Sequence, residues 1–168
     1  MDVKTAFLNG DLEEEIYIDQ PERFIVKRQE TKVCKLVKSL YSFKQAPKQW
    51  HHKFNKVIAH FGFSIHQYDK CIYSNKLDND YYIILCLYVD DIHIFGTSFD
   101  AIQRVKDYLP QNFDTNDLGH ADMILGIKMS RTLNRISVSL ARSIERMLHK
   151  FDFYNTKLIL HPMILQLL

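Results

Sequence analysis

The sequence predicts an α+β fold, with helices packed on one face of an antiparallel sheet. Three observations carry this. The apolar run Tyr81 to Val89 is followed at once by Asp90-Asp91 and a second apolar run, Ile92 to Phe95, which reads as a β-hairpin with two acids at its tip. Trp50, Phe54, Val57, Ile58 and Phe61 recur at helical spacing. Ile102, Val105 and Leu109 do the same behind Ser98, a residue suited to capping a helix.

In chain order, Met1 to Leu8 reads as the end of a strand, closed by the turn signal Asn9-Gly10. Glu15 to Asp19 reads as a short strand ended by Pro21, and Val33 to Leu40 alternates apolar and polar residues up to Tyr41-Ser42. A helix is expected from Ala46 to Phe61, with Pro47 in its first turn and Gly62 at its stop. Cys71 to Asn75 and Tyr81 to Val89 form a strand pair, and Ile92 to Gly96 completes the sheet. The Ser98 helix runs to Leu109, where Pro110 ends it. Met123 to Met129 is expected as one strand, with another around Ile136 to Val138. A last helix, about Ser139 to Phe151, places Leu140, Ile144, Met147, Leu148 and Phe151 on one face. Tyr154 to Leu168 lacks periodicity and is expected to be poorly ordered.

The chain has 168 residues, 46% of them apolar, enough for one domain with a real core, and a net charge of +2 that points to no partner class. No apolar run reaches the length of a membrane span, and the N-terminus lacks the layout of a signal peptide. Three dispersed cysteines argue against a disulfide framework or zinc ribbon and fit a reducing compartment. His51-His52 read as surface residues rather than ligands. Charge is locally uneven: Asp11 to Glu22 holds six acids and no base, whereas Lys27 to Lys56 holds nine Lys or Arg and one acid. With Tyr41, Phe43 and Trp50 among them, those bases suit a phosphate backbone, and equally a solvated face.

Asp90-Asp91 admits two readings. Both residues suit an ordinary turn. Two adjacent carboxylates also suit a divalent cation such as Mg²⁺, which prefers hard oxygen ligands and relieves their repulsion. Asp2, on a predicted strand end, would supply a third carboxylate if the two strands are neighbours, a set suited to two-metal phosphoryl transfer.

Four ordered segments carry a resemblance. Met1 to Leu12 (MDVKTAFLNGDL), Ser39 to Trp50 (SLYSFKQAPKQW) and Tyr88-Val89-Asp90-Asp91 resemble the three catalytic motifs of reverse transcriptases of copia-type LTR retrotransposons. Asp117-Leu118-Gly119 with Leu125-Gly126-Ile127 resembles the segment leading into their primer-grip turn. The resemblance implies a polymerase palm in residues 1–128, without upstream fingers, and the start of a thumb or connection region in 129–168. It implies RNA-directed DNA synthesis using two Mg²⁺ (or Mn²⁺) ions. Asp2, Asp90 and Asp91 would bind metal, helped by the Val3 carbonyl. Thr5, Ala6, Phe7, Tyr41 and Ser42 would surround the incoming dNTP, with Phe7 as the gate against a ribose 2′-OH. Lys44, Gln45, Lys48, Tyr88, Leu125, Gly126 and Ile127 would meet an RNA or DNA template and its primer. It also implies a cytoplasmic location, within a virus-like particle for an intact element, and no membrane partner.

The chain departs from the family pattern at Ser42, where Gly is usual, at Ile124, where an aromatic is usual, and at Leu140 and Ser143, where Gln and Tyr are usual. The tail keeps His161-Pro162-Met163 but drifts around it. Starting one residue before Asp2, the chain is expected to be a truncated and inactive palm whose α-amino group pairs with Asp2. Two other functions compete: a non-enzymatic nucleic-acid-binding remnant carried by the basic stretch, and an unrelated metal-dependent phosphotransferase sharing only Asp-Asp.

Overall fold

A computed structural model describes residues 1–77, 81–132 and 135–156. The chain divides into two compact units, Met1–Gly119 and His120–Leu168.

The first unit is built on a six-stranded antiparallel sheet ordered β4-β5-β6-β7-β1-β8. Its strands are β1 (Asp2–Val3), β4 (Ser64–Ile65), β5 (Ile72–Lys76), β6 (Tyr82–Tyr88), β7 (Asp91–Gly96) and β8 (Thr115–Asn116). A separate hairpin pairs β2 (Tyr17–Asp19) with β3 (Val33–Lys35). Two helices, α1 (Ala46–His60) and α2 (Phe99–Tyr108), share one core with the sheet. Alternation along β6 buries Ile83, Leu85 and Leu87, whose cross-strand partners include buried Tyr73 and Ile92. Trp50, Phe54 and Ile58 from α1 and Ala101 and Val105 from α2 join the same cluster. Both helices therefore cover one sheet face. The other face, carrying Tyr82, Ile84 and Tyr88, stays exposed.

The helix boundaries have local causes. Ser98 caps α2 by accepting from the Ala101 N–H. At the end of α1 the Gly62 N–H donates to Ala59 and the Phe63 N–H to Ile58, with Gly62 at φ +102°. That is the paired Schellman arrangement, and it turns Phe63 back into the core.

Several strand expectations are corrected. The N-terminal strand stops at Val3 instead of running to Leu8, because Thr5 adopts φ +48° and Ala6–Asn9 forms a 3-10 turn that buries Ala6. Val33 to Leu40 keeps strand structure only over β3, and Asp11 pairs with Lys38 in an isolated bridge. His51 is not a bare surface residue. Its Nδ1 lies 3.3 Å from the Asn55 amide and its Nε2 2.9 Å from the Lys70 carbonyl, while the Tyr73 hydroxyl donates to Asn55. A proton on Nε2 satisfies both contacts.

The second unit pairs β9 (Met123–Ile124), β10 (Ile127–Thr132) and β11 (Arg135–Ser139), followed by α3 (Ala141–Lys150). The single strand expected over Met123 to Met129 is broken in two, because Leu125 (φ +49°) and Gly126 (φ +80°) form a two-residue hairpin turn. Positive φ at both positions is the I′ pattern that fits strand twist. The Ser143 hydroxyl on α3 donates to the Gly126 carbonyl at 2.7 Å. The α3 stripe of Ile144, Met147, Leu148 and Phe151 is exposed. The tail expectation falls on residues 157–168 outside the described set, beyond Tyr154 to Thr156.

Candidate active site

The open face of the larger sheet collects the expected carboxylates. Tyr88 pairs with Asp91, Asp91 with Asp2, and Asp2 with Asn116, one row across β6, β7, β1 and β8. The Val3 N–H donates to the Asp90 carbonyl and the Ile92 N–H to the Met1 carbonyl, each at 2.8 Å. These bonds flank Asp2 and Asp91, so the two form the non-hydrogen-bonded kind of pair, with Cα atoms only about 4.5 Å apart and side chains close. Asp90, half-buried, directly precedes Asp91 in the turn. Among the described residues no group of three or more His, Cys, Asp or Glu is drawn together tightly enough to hold an ion. The donor chemistry nevertheless suits a hard cation, since two carboxylates face each other with a third beside them. The α-amino group donates to the Ile92 carbonyl at 2.8 Å, continuing the strand pairing rather than closing on Asp2.

Strain marks the turn. Tyr88 and Asp91 pair directly, leaving Val89-Asp90 as a two-residue loop. Val89 sits at φ +57° and Asp90 does not take positive φ. Positive φ at the first position alone is the II′ pattern, where Gly is favoured. A β-branched residue there is an outlier costing about 1–3 kcal/mol. Val89→Gly should therefore raise stability by about 1 kcal/mol, after the added entropy of glycine is counted, and lift the melting temperature by about 2–4 °C. An unchanged or lowered melting temperature in calorimetry would show that the turn stores no such strain.

Phe7 and Tyr41 touch with ring centroids 4.6 Å apart. Thr5 holds its left-handed conformation directly before Ala6. Ser42 is exposed and not left-handed, so the exchange from Gly strains nothing locally. Gln45 lies directly before α1, and Leu125, Gly126 and Ile127 belong to the second unit.

Three of the nine bases in the basic stretch pair with the acidic one that precedes it. Lys38 and Lys53 both bind Asp11, at 3.0 and 3.1 Å, and Lys35 binds Glu15. The paired lysines hold the Asp11 carboxyl below its usual range. Lys53, one of the bases of that stretch, is thus engaged within the fold. Lys44 and Lys48 are exposed, and neither forms an ion pair among the described residues. Asp117 accepts from Lys106 and from the Gly119 N–H, which lowers its pKa and closes the Asp-Leu-Gly turn on itself.

Two residues escaped sequence reasoning as site residues. Asn116 stands beside Asp2 in the row, and a lone Asn in a two-residue strand carries no signal. Trp50 read as one member of a core stripe, yet its indole N–H donates to the Val89 carbonyl at 2.6 Å.

Residues 1–165 match the family described as reverse transcriptase (RNA-dependent DNA polymerase). The chain is 44% identical to the retrovirus-related Pol polyprotein from transposon TNT 1-94 of Nicotiana tabacum, over 97% of this chain and 12% of that protein. It is 32% identical to a putative transposon Ty5-1 protein of Saccharomyces cerevisiae, over 97% of this chain and 53% of that protein. It is also 32% identical to the Pol polyprotein from transposon RE1 of Arabidopsis thaliana, over 97% of this chain and 11% of that protein. The chain thus spans between about a tenth and a half of these relatives. No solved structure matches it significantly. The match runs through all four ordered segments, and the chain belongs to the reverse transcriptase (RNA-dependent DNA polymerase) family of copia-type retrotransposon Pol polyproteins.

Proposed function

We propose that Met1–Gly119 is the palm of an RNA-directed DNA polymerase, whose open sheet face binds the metal ions and primer end for nucleotidyl transfer. The observation that carries this is the Tyr88–Asp91–Asp2–Asn116 row with Asp90 beside it. Asp2, Asp90 and Asp91 would hold the divalent cations, together with the Val3 carbonyl. Bound there, such ions lower the pKa of an attacking hydroxyl and neutralise charge on a departing pyrophosphate. Tyr88 lies in the same row and would meet the primer terminus. Phe7, packed on Tyr41, would floor the nucleotide sugar and exclude a 2′-OH, while the Thr5 and Ala6 backbone approaches the triphosphate and Ser42 lines its edge. Lys44, Gln45 and Lys48 would meet the template. Leu125, Gly126 and Ile127 would support the primer strand.

The isolated chain is expected to bind Mn²⁺ through Asp2, Asp90 and Asp91 and not to extend a primer. Calorimetric Mn²⁺ titration and a primer-extension assay test both parts. Binding that Asp2→Asn abolishes supports the site; binding indifferent to Asp2, Asp90 and Asp91 would sink it. Robust extension lost in Asp90→Asn would overturn the expected inactivity. The alternative, a nucleic-acid-binding remnant without chemistry, would rest on Lys44, Lys48 and the other bases of the stretch outside the ion pairs of Lys35, Lys38 and Lys53.

A further inference from the structure

Trp50 is the only tryptophan of the chain and is 2% exposed. Its ring packs edge-on against Phe113 at 5.1 Å and at a tilt against Phe54 at 5.5 Å. Packing alone would account for a large aromatic here. It does not account for the indole N–H, which reaches out of α1 to the Val89 carbonyl at 2.6 Å.

That carbonyl belongs to the central peptide of the strained turn. Turn types I′ and II′ differ by a flip of this one peptide plane, which exchanges the φ sign at the second central residue. A flip to I′ would place Asp90 at positive φ, which Asp tolerates better than most residues. Nothing in the side chains of Val89 and Asp90 favours II′; Val89 is a poor residue for it. The bond from Trp50 does favour it, because a flipped peptide would turn the Val89 carbonyl away from the indole and leave a buried N–H unpaired. Held in place, the same turn lets the Asp90 carbonyl accept from Val3, which keeps Asp2 and Asp91 in register.

We infer that Trp50 is a positioning residue for the metal-binding turn: its indole N–H selects the orientation of the Val89–Asp90 peptide, and so aims Asp90 and keeps Asp2 facing Asp91. This rests on the metal-site reading above for its consequence, but not for its geometry.

The test removes the N–H and keeps the ring. Trp50→Phe is one variant. Incorporation of benzothienylalanine at position 50, which preserves the bicyclic shape and lacks the N–H, is the second should Trp50→Phe fold poorly. Two readouts separate the claims. Hydrogen exchange of the Val3 amide reports the turn without any metal; it should accelerate about tenfold or more while amides in the middle of β6 keep their protection. Mn²⁺ affinity should fall about 10–100-fold, as for groups that orient metal ligands. Unchanged Val3 exchange, or acceleration spread evenly over the sheet, would overturn the inference. Altered Val3 exchange in a chain whose parent binds no Mn²⁺ would uphold the positioning role and remove the metal reading instead.

Discussion

Asp91→Asn is expected to stabilise the metal-free chain and to remove most of its response to Mn²⁺. Asp91 and Asp2 occupy a non-hydrogen-bonded cross-strand pair, the closest approach an antiparallel sheet offers. Like charges placed directly opposite are destabilising by about 0.2–1 kcal/mol. Replacing one carboxylate by an isosteric amide relieves that repulsion and leaves the backbone ladder intact, so the melting temperature should rise by about 2–4 °C at most. The bound state behaves oppositely. At a Mn²⁺ concentration of about 100 times the dissociation constant, the parent gains about 2.7 kcal/mol of stability by mass action. The variant loses a charged ligand and with it nearly all of that gain. Thermal melts of both proteins with and without Mn²⁺ supply the four numbers required. A variant less stable than the parent without metal would mean that Asp91 is chiefly a structural residue. Equal stabilisation of both by Mn²⁺ would mean that the ion binds elsewhere.

The hairpin and the two core helices were legible because they rest on long periodic patterns. Ile83, Leu85 and Leu87 alternate, the α1 stripe repeats at helical spacing, and Ser98 and Gly62 mark boundaries by their own chemistry. The acids of the tip were legible as a carboxylate pair directly after a buried strand; the Mn²⁺ titration decides between turn chemistry and a metal site. What could not be read was pairing between distant segments. Asp2 meets Asp91 across 88 residues of intervening chain, and Asn116 joins them from a strand of two residues, too short to carry a pattern. The ion pairs of Lys35, Lys38 and Lys53 with Glu15 and Asp11 were hidden for a related reason: they depend on tertiary contacts. The Leu125-Gly126 turn was read as strand because Leu125 is apolar, yet one glycine and strand twist were enough to break it. Asn9-Gly10 was read as the turn that closes a strand, yet that strand ends at Val3 and Gly10 matters for another reason.

Gly10 is needed for close approach and not for turn geometry, so Gly10→Ala should be strongly harmful although its backbone conformation suits alanine. Gly10 has φ −67° and ψ 131°, an ordinary extended conformation. On conformational grounds alone alanine would stabilise by about 0.4–1 kcal/mol, by restricting the unfolded chain. Sterically, an added Cβ would lie 2.8 Å from the Gln49 Cβ, 3.0 Å from the Trp50 backbone nitrogen and 3.1 Å from the Gln49 carbonyl carbon. Two of these are backbone atoms inside α1, so no flexible side chain can give way; the helix itself must retreat. Overpacking of this kind costs about 1–3 kcal/mol and wins over the entropic gain. A retreat of α1 at Trp50 also lengthens the indole contact with Val89. Gly10→Ala should therefore weaken Mn²⁺ binding without touching a carboxylate. Gly119→Ala is the control. It sits at φ +74° with nothing within 4 Å of the added Cβ, so it bears only the backbone penalty of about 1–2 kcal/mol. Melts should show both variants destabilised, while titration should show Mn²⁺ affinity reduced in Gly10→Ala alone. If Gly119→Ala lowers affinity equally, general loosening of the fold, rather than the seat of α1 against the turn that follows Ala6–Asn9, governs the site.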